Sequence, residues 1–380
     1  MPHIINSDKK PDIRSLSIDA IEQVLIRHDA KRFRIKQILE WLWKNGAGSF
    51  DEMANIPVLT RLFLKDHFTF HTAIPEIKQR SSDGTVKVGF RLFDRSMIEG
   101  VLIPAGNRYT ACISSQVGCN LGCRFCATGK QGFTRNLSRG EIFDQVIHLS
   151  RLAGAEPFVS TVIHSKSEEH QHPSPGVRNF LSNIVYMGMG EPFLNYKQVN
   201  ESIEKITAAD GLGISPQRIT VSSIGIPKMI HKMADDGAKY HFALSLHAAT
   251  DNKRNQVIPF NQRHPLSEIT EALKYYHSKT QKRVTIEYIL FAGFNDSTHD
   301  ARDLAHFCRN FPVKINLIEY NPVKETGFTG SGTLKIQAFT QSLEKCNLVV
   351  NIRKSRGKDI DAACGQLSAV NSFIPEESET

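Results

Sequence analysis

The stretch CNLGCRFC places Cys119, Cys123 and Cys126 within eight residues of one another. Thiolates at such short spacing hold zinc or iron–sulfur clusters, and both kinds of site usually have four protein ligands. Three cysteines on one loop are one ligand short, which favours a metal centre with an open position for a substrate or cosubstrate. A closed zinc or electron-transfer site, completed by the distant Cys112 or Cys364, is the alternative that spacing leaves open.

The composition limits the classes to which the protein can belong. The chain has 380 residues, of which 40% are hydrophobic, and a formal net charge of +8. No run of about 18 apolar residues occurs, so we expect no membrane-spanning helix, and the first residues lack the apolar segment of a signal peptide. Seven cysteines, three of them clustered, favour metal or redox chemistry in a reducing cytoplasm over a disulfide scaffold. The excess of Lys and Arg favours a polyanionic partner such as a nucleic acid.

Strand and helix patterns alternate from Tyr109 onward. Short apolar runs rich in β-branched residues predict strands, and segments of helical character separate most of them. The alternation predicts an α/β fold with a parallel sheet, closed into a full or partial (β/α) barrel. A doubly wound open sheet is the alternative that periodicity does not exclude. The predicted strands are YTACIS, NIVYMG, RITVS, FALSL, RVTIEYIL, KINLIEY and LVVNIR.

The residues before the barrel predict two smaller units. In RFRIKQILEWLWKN the apolar residues recur with helical spacing, so this segment is predicted to be an amphipathic helix. Alternating apolar residues between Val86 and Leu92, with turn residues on both sides, predict a β meander. We therefore predict a small N-terminal helical domain over 1–74, a β-meander connector over 75–104, the barrel over 105–367 and a flexible tail over 368–380.

Polar motifs follow directly after the predicted strands. In (β/α) barrels the active site lies at the carboxyl ends of the strands, so residues that close a strand converge on one rim. The cysteine loop follows YTACIS, and the segment GMGEP follows NIVYM. Three further strands end at, or are directly followed by, Ser222, Ser245 with His247, and Asn321. The sequence therefore predicts one site built from all five segments.

Several blocks of the chain resemble a known family. The spacing Cys-x3-Cys-x2-Cys, with Phe125 before the last cysteine, resembles the signature of the radical S-adenosylmethionine (SAM) superfamily. From about Phe33 to Leu367 the chain resembles the dual-specificity RNA methyltransferase family in the blocks CISSQVGCNLGCRFCATGKQGFTRNLS, YMGMGEP, ITVSSIGIP, SLHAATDNKRNQVIP, KINLIEYNP and RKSRGKDIDAACGQL. The His-rich segment 164–178 departs from the family pattern. It is predicted to be a surface loop, and its role is left open.

The resemblance implies a partial radical SAM barrel and two cofactors. One [4Fe–4S] cluster would be held by Cys119, Cys123 and Cys126, and the amino and carboxylate groups of SAM would occupy the fourth iron. Two SAM molecules would be used in each turnover. The residues that the family uses for SAM correspond to Gly190, Glu191, Ser222, Ser245, Leu246, His247 and Asn321.

The resemblance also implies the reaction. Family members methylate carbon 2 of an adenine in rRNA and tRNA, and a resistance-conferring branch methylates carbon 8. Cys364 would take a methyl group from one SAM, and a radical made from the second SAM would activate that methyl for addition to the ring. Cys112 would then attack the sulfur of Cys364, which releases the RNA and leaves a disulfide. Glu99 corresponds to the proposed proton acceptor, although local sequence alone favours a surface glutamate on an edge strand.

Other functions and partners remain to be weighed against this one. The alternatives are methylation at carbon 8, or a non-catalytic iron–sulfur or zinc RNA-binding module. We expect the enzyme to be a monomer that uses an electron donor such as flavodoxin or ferredoxin and acts away from membranes.

Removal of the first ~95 residues is predicted to weaken RNA binding while sparing cluster assembly. Cys308 and Cys346 are predicted to be buried as small hydrophobic residues. The predicted phosphate contacts are Arg32, Arg34, Lys36 and Lys44 on the first helix, and Arg353, Lys354, Arg356 and Lys358 before Cys364.

Overall fold

The computed structural model describes residues 10–28, 30–155, 180–324 and 326–369. The His-rich segment and the predicted tail beyond 369 lie outside these ranges. Within them, no helix combines the length and the apolar character that crossing a membrane requires.

The described residues form twelve strands and eleven α-helices. The strands are β1 (Ile74–Arg80), β2 (Val86–Arg91), β3 (Met97–Ala105), β4 (Arg108–Cys112), β5 (Gln116–Cys119), β6 (Gly132–Asn136), β7 (Leu181–Tyr186), β8 (Ile219–Ser223), β9 (His241–Ser245), β10 (Val284–Leu290), β11 (Val313–Glu319) and β12 (Val350–Arg353). The helices are α1 (Ile18–Arg27), α2 (Arg32–Trp43), α3 (Val58–His67), α4 (Ala127–Lys130), α5 (Arg139–Ala155), α6 (Tyr196–Thr207), α7 (Pro227–Asp235), α8 (Asp251–Val257), α9 (Leu266–Thr280), α10 (Thr298–Cys308) and α11 (Thr333–Glu344).

One ten-stranded sheet organises the molecule. Its order is β1-β2-β3-β4-β7-β8-β9-β10-β11-β12, and β5 and β6 form a separate hairpin. From β4 to β12 every neighbouring pair is parallel and the strands follow chain order. A doubly wound sheet reverses its strand order at a switch point, so this order excludes that alternative. Because β1 and β12 are not paired within the described ranges, the barrel is partial. The fold prediction and the seven barrel strands are confirmed.

The burial of the central strands explains their composition. All seven residues of β10 are buried, as expected of a parallel strand with both faces covered, and such strands are almost continuously apolar. Helix α5 begins with a capping box, in which Glu141 N donates to Ser138 Oγ (3.2 Å) and Ser138 N donates to the Glu141 carboxylate (2.9 Å). The helices return the chain after the buried strands, so the carboxyl ends of the strands remain free to carry the site residues.

The N-terminal helices pack against the barrel and share its core. Trp43 of α2 makes an edge contact with Phe143 of α5. Arg14 is fully buried and donates to the Asp144 carboxylate (Nη2 to Oδ2, 2.7 Å). Removing one partner of such a buried pair typically costs about 3–5 kcal/mol. The predicted helix is confirmed as α2, with Ile35 buried on its inner face.

The β meander continues the barrel sheet and does not stand apart from it. Strand β1 pairs with β2, β2 with β3, and β3 with β4, all antiparallel. Removal of the first ~95 residues would delete β1 and β2 and expose the buried Asp144, so we no longer expect such a truncation to spare cluster assembly. The role of the N-terminal helices needs substitutions in the intact chain. The boundaries at 74, 104 and 367 remain predictions.

Candidate active site

A cavity opens at the carboxyl ends of the barrel strands, and we call it the inner cavity. It encloses about 930 Å³, part of which is open to solvent. Nine of the thirteen predicted site residues line it, together with two charged residues outside that predicted set. These eleven are Cys119, Cys123, Cys126, Gly190, Glu191, Ser222, Ser245, His247, Cys364, Glu287 and Arg353.

The cysteine loop leaves β5 at Cys119 and is anchored by the β5–β6 hairpin. Gly118 has φ of 73°, and a side chain there would meet the carbonyl oxygen of Gly132 at 1.9 Å, so only glycine fits. Burial raises the pKa of the Cys119 thiol to about 12, and it also raises the pKa of Cys123 and Cys126. Within the described ranges, no three Cys, His, Asp or Glu side chains converge as ligands of a single ion.

The donor set of this loop fits an iron–sulfur cluster. Three thiols line one cavity, and the apolar side chains of Leu121 and Phe125 lie between them on the same wall. Because thiols must lose their protons to bind a metal, buried cysteines of raised pKa become thiolates when a metal supplies the compensating charge. The fit rests on this donor chemistry.

Glu191 is buried and held in one orientation. Its Oε1 accepts from Phe193 N (3.0 Å) and its Oε2 from Ile224 N (3.1 Å). Burial raises the pKa of Glu191 to about 7, and the two backbone donors oppose that shift. The preceding Gly190 has φ of 96°, and a side chain there would collide with Gln116. The loop therefore presents a fixed carboxylate to the inner cavity.

The serines at the ends of β8 and β9 face each other. Ser222 Oγ and Ser245 Oγ are 3.0 Å apart, so one hydroxyl donates to the other. The next residue, Leu246, does not line the cavity: its side chain is fully buried in the core. Its backbone N donates to the carbonyl of Glu287 (3.0 Å). Any contact of Leu246 with a ligand would therefore come from its backbone.

His247 adopts a left-handed backbone conformation with φ of 57°. Its Nδ1 accepts from Ile289 N (3.1 Å), so the ring proton lies on Nε2. Burial, helped by the nearby Arg254 guanidinium, lowers the pKa of His247 to about 3. The imidazole is therefore a neutral hydrogen-bond donor in the cavity wall.

The loop that carries Cys364 is attached to the cysteine loop and to the end of β11. Ala127 N donates to the Gly365 carbonyl (2.7 Å), and Thr128 Oγ1 donates to the Leu367 carbonyl (2.7 Å). Asn321 is buried, and its Nδ2 lies 3.5 Å from the Cys364 carbonyl, while its Oδ1 has no partner among the described residues. Asn321 thus supports the Cys364 loop and does not line the inner cavity.

A second cavity, the outer cavity, adjoins the first and encloses about 910 Å³. Cys112 lines only the outer cavity, whereas Cys364 lines both. Burial raises the pKa of Cys112 to about 12. The floor of the outer cavity is apolar and the rim of this cavity is basic. Its lining includes Ile103, Pro104, Val185, Met187, Ile318, Arg353, Lys354 and Arg356.

Glu99 is not the surface glutamate that local sequence favours. It is only 1% exposed, and its carboxylate pairs with the buried Lys87 (3.4 Å) and accepts from Ser368 N (2.8 Å). Val101 pairs with Cys112 in the β3–β4 register, and Glu99 lies two residues before Val101. Alternate residues of a strand share a face, so Glu99 and Cys112 lie on the same side of the sheet. Glu99 does not line either cavity.

Two buried charged residues were missed from the sequence, and Arg353 has a partner within the protein that the sequence did not predict. Glu287 interrupts the otherwise apolar strand β10, and that interruption was the available signal. Arg254 donates to the carbonyls of Ile224 (2.5 Å) and Leu246 (3.1 Å) from within the core, and it had no distinguishing signal. Arg353 pairs with Glu287 (3.3 Å) inside the site, and its contact with phosphate remains a prediction.

The other predicted phosphate contacts before Cys364 and the two remaining cysteines differ in exposure and in partners. Lys354 and Arg356 are exposed at the rim of the outer cavity, while Lys358 pairs with Glu319 (2.8 Å). Cys308 is buried as predicted, but Cys346 is exposed, so the prediction for Cys346 is wrong. It lies directly after α11, where the chain turns at the surface before β12.

The chain is similar to known proteins over nearly its whole length. A model for the ribosomal RNA large subunit methyltransferase N-terminal domain matches residues 12–69. Two relatives named "Probable dual-specificity RNA methyltransferase RlmN" match closely. The one from Christiangramia forsetii is 46% identical over 364 residues, covering 95% of this chain and 97% of the relative. The one from Cytophaga hutchinsonii is 47% identical over 360 residues, covering 95% and 93%.

This chain belongs to the dual-specificity RNA methyltransferase family. A solved structure of a radical SAM methyltransferase from Sphaerobacter thermophilus superposes with a TM-score of 0.84 at 35% identity, covering 94% of this chain and 99% of that one. The family resemblance, the partial barrel and the assignment as a radical SAM methyltransferase are therefore confirmed. Radical SAM methyltransferases use SAM and a [4Fe–4S] cluster. As a member of the dual-specificity RNA methyltransferase family, this enzyme uses the same two cofactors.

Proposed function

We propose that this enzyme methylates carbon 2 of an adenine in ribosomal RNA, transfer RNA or both, and that Cys364 carries the methyl group. One observation supports this most directly: Cys364 lines both the inner and the outer cavity, whereas Cys112 lines only the outer one. A sulfur that reaches both spaces can receive a group on one side and present it on the other.

The inner cavity would hold the two cofactors. Cys119, Cys123 and Cys126 would be the protein ligands of one [4Fe–4S] cluster, and SAM would complete its coordination, two molecules being used per turnover. The bound cluster supplies the electron for reductive cleavage of SAM. The fixed carboxylate of Glu191 suits the SAM ammonium group through a charge-assisted hydrogen bond. The facing serines and the Nε2–H of His247 offer neutral donors and acceptors for the nucleoside part of SAM, and Gly190 leaves room for it.

The outer cavity would hold the target base. Carbon 2 is inaccessible in a stacked helix, so the adenine must be unpaired or flipped into a pocket, where apolar side chains contact its faces. Ile103, Pro104 and Val185 form such a surface. The exposed Lys354 and Arg356 lie at the rim, where the phosphates on either side of a flipped nucleotide would pass. The arrangement suits a single nucleotide withdrawn from an RNA fold.

The two cysteines would act in sequence. The thiolate of Cys364 would take a methyl group from SAM, whose sulfonium–carbon bond breaks. That carbon would then lose one hydrogen atom and bond to the base, which gives up its ring proton and one electron to the redox cofactor. The Cys112 thiolate would attack the Cys364 sulfur, which breaks the bond between that sulfur and the new carbon and leaves a Cys112–Cys364 disulfide, while the released carbon takes a proton and becomes the methyl group of the product. Two electrons must reduce this disulfide before the next turnover, so we propose a reducing compartment, the cytoplasm. The proposed acceptor of the ring proton is Glu99, which lies outside both cavity linings but on the same side of the sheet as Cys112, and Lys87 holds its carboxylate in place.

The oligomeric state and the electron donor are part of the same proposal. Both cavities are lined by residues of one chain, so we propose that the monomer is active. The electron donor would be a small redox protein such as flavodoxin or ferredoxin.

Mass spectrometry of adenosines from RNA treated with reconstituted enzyme tests the proposal. We expect 2-methyladenosine, together with a methyl group on Cys364 in enzyme treated with SAM. 8-Methyladenosine would place the enzyme in the branch that modifies carbon 8. Absence of any methylated adenosine and of SAM cleavage would leave only an RNA-binding module and would refute the proposed activity.

A further inference from the structure

A row of polar side chains crosses the interior face of three strands. Glu287 of β10, Asn316 of β11 and Asn351 of β12 are direct neighbours in the parallel register. Asn316 Nδ2 donates to Glu287 Oε1 (2.8 Å), and Asn351 Nδ2 donates to Asn316 Oδ1 (3.4 Å). The buried carboxylate of Glu287 is therefore fixed in orientation by a chain of hydrogen bonds.

This row holds one edge of the Arg353 guanidinium. Arg353 lies two residues after Asn351, on the same face of β12, and its Nη1 donates to Glu287 Oε2 (3.3 Å) and approaches Met187 Sδ (3.9 Å). The described residues provide no hydrogen-bond partner for its Nε or Nη2, and its side chain is 36% exposed. One edge of the planar group is anchored, and the other edge is open to a ligand.

Arg353 lies at the junction of the two cavities. The residues common to both linings are Met187, Ile318, Arg353, Cys364 and Leu367. Arg353 is the single charged side chain among these five. A cation with free donors therefore lies beside the sulfur that would carry the methyl group, at the inner end of the space proposed for the base.

The chemistry of adenine matches an N–H donor at this point. Carbon 2 lies between the ring nitrogens N1 and N3, and both nitrogens accept hydrogen bonds. Carbon 8 has only N7 as a free acceptor neighbour, because N9 is bonded to ribose. A donor beside Cys364 would thus favour the edge of the base that carries carbon 2.

We propose that Arg353, held by Glu287, is a positioning residue that donates a hydrogen bond to a ring nitrogen adjacent to carbon 2 and so directs that carbon toward Cys364. The inference rests on the proposed function and adds to it the group that orients the target base. Arg353 acts on the RNA base, so it is not required for cleavage of SAM or for methylation of Cys364.

A mutant cycle between the protein and the base tests this. Wild type and Arg353→Met would be compared on RNA that carries adenosine, 1-deazaadenosine, 3-deazaadenosine or 7-deazaadenosine at the target position. With adenosine we expect Arg353→Met to lower kcat/KM roughly 10- to 100-fold, as for loss of a charged donor to a base. With whichever of the 1-deaza and 3-deaza RNAs lacks the contacted nitrogen, Arg353→Met should lower kcat/KM by less than about threefold, because the interaction is already absent. The 7-deaza RNA should behave as adenosine.

The dissociation constant of each RNA is also measured for wild type and Arg353→Met, so that a deaza base too inert to be methylated still gives a result. Arg353→Lys should recover part of the loss, and Glu287→Gln should show a smaller loss of the same kind. Arg302→Met, which removes an exposed arginine on α10, is the matched control and should leave kcat/KM unchanged. Iron content and thermal unfolding confirm that each variant is folded.

Two results would overturn the proposal. Equal costs of Arg353→Met on adenosine and on both the 1-deaza and 3-deaza RNAs would mean that Arg353 does not contact the base. Loss of 5′-deoxyadenosine formation or of Cys364 methylation without RNA would mean that Arg353 serves SAM or the sulfur. Wild-type enzyme that failed to methylate any adenosine would instead refute the proposed function.

Discussion

The inner and outer cavities share five side chains but are assembled differently. The inner cavity is built from strand ends that follow one another along the barrel, each with its own short motif. The outer cavity joins parts that are far apart in sequence. Strand β3 of the meander and the adjacent barrel strand β4 lie on one wall, and the segment from Arg353 to Leu367 lies on the other. A site made of local motifs can be recognised from spacing, whereas a site made by long-range packing requires the fold.

The two cavities also differ in charge and exposure. The inner cavity presents fixed, buried groups such as Glu191 and His247, which suit a small cosubstrate that must be held in one orientation. The outer cavity combines an apolar floor with the exposed Lys354 and Arg356, which suit a base attached to a charged polymer. This difference supports a division between cosubstrate binding in one cavity and RNA binding in the other.

The largest expected effects distinguish Cys126, which lines only the inner cavity, from Cys364, which lines both cavities. Cys126→Ala should lose cluster iron and all cleavage of SAM, because the ligand set is broken. Cys364→Ala should keep cluster iron and 5′-deoxyadenosine formation but lower RNA methylation on the order of 10³-fold or more, as for removal of a covalent catalyst. Iron analysis, chromatography of SAM products and RNA mass spectrometry give the three readouts. Normal RNA methylation by Cys364→Ala would contradict the division of roles.

Cys112 provides the next test, because it lines only the outer cavity. Without its thiol the final bond exchange cannot occur, so Cys112→Ala should accumulate protein covalently linked to RNA and complete at most about one turnover per enzyme. A band of retarded mobility on a denaturing gel, removed by ribonuclease, is the measurement. Cys308→Ala is the control, since Cys308 is also buried but belongs to neither cavity. Sustained turnover by Cys112→Ala would exclude this role.

The buried carboxylate of the inner cavity predicts opposite effects of pH on binding and on stability. Glu191 has a folded-state pKa of about 7 and an ordinary value of 4.5. In the proposed site, ionised Glu191 would bind the SAM ammonium group, so SAM affinity should fall about tenfold per pH unit below about 7. Because the folded pKa is raised, the stability from protonated Glu191 is present below pH 4.5 and is lost as the pH rises through about 7.

Calorimetric titration of SAM and thermal unfolding, both as a function of pH, check these two trends. Glu191→Gln should weaken SAM binding roughly 10- to 100-fold at pH 8 and remove both pH dependences. A variant that retains the pH dependence of SAM affinity would show that another group is responsible.

The smallest expected effect concerns the basic helix α2, which lies outside both cavities. Arg32 and Lys36 are exposed, whereas Arg34 is hydrogen-bonded to Gln37 and to the Asn55 carbonyl. If α2 contacts RNA, replacing Arg32 and Lys36 by Gln should lower the salt dependence of RNA binding by about two phosphate contacts. Cluster iron should be unchanged. The same substitutions at the exposed Lys239 and Lys345 control for loss of net charge, and an equal effect there would remove the specific role of α2.

The sequence predicted those parts of the molecule in which a local pattern has one structural meaning. The seven barrel strands and the strand-end motifs that line the inner cavity were predicted because each depends on residues near one another in the chain. Glu99 was harder to interpret, since its burial depends on Lys87 across the sheet and on Ser368 from a distant segment. The pairing of Glu287 with Arg353 depends on the register of β10, β11 and β12, which composition does not specify.

The hydrogen bonds that join Ala127 to Gly365 and Thr128 to Leu367 have a consequence for biosynthesis. The ribosome releases residues 363–367 only after every strand of the barrel has been made, and domains can fold while the rest of the chain is still being synthesised. The barrel can therefore form around the thiols of Cys119, Cys123 and Cys126 while one wall of the site is still missing. We expect the nascent enzyme to have an exposed cysteine loop that becomes shielded only when this last segment binds across it.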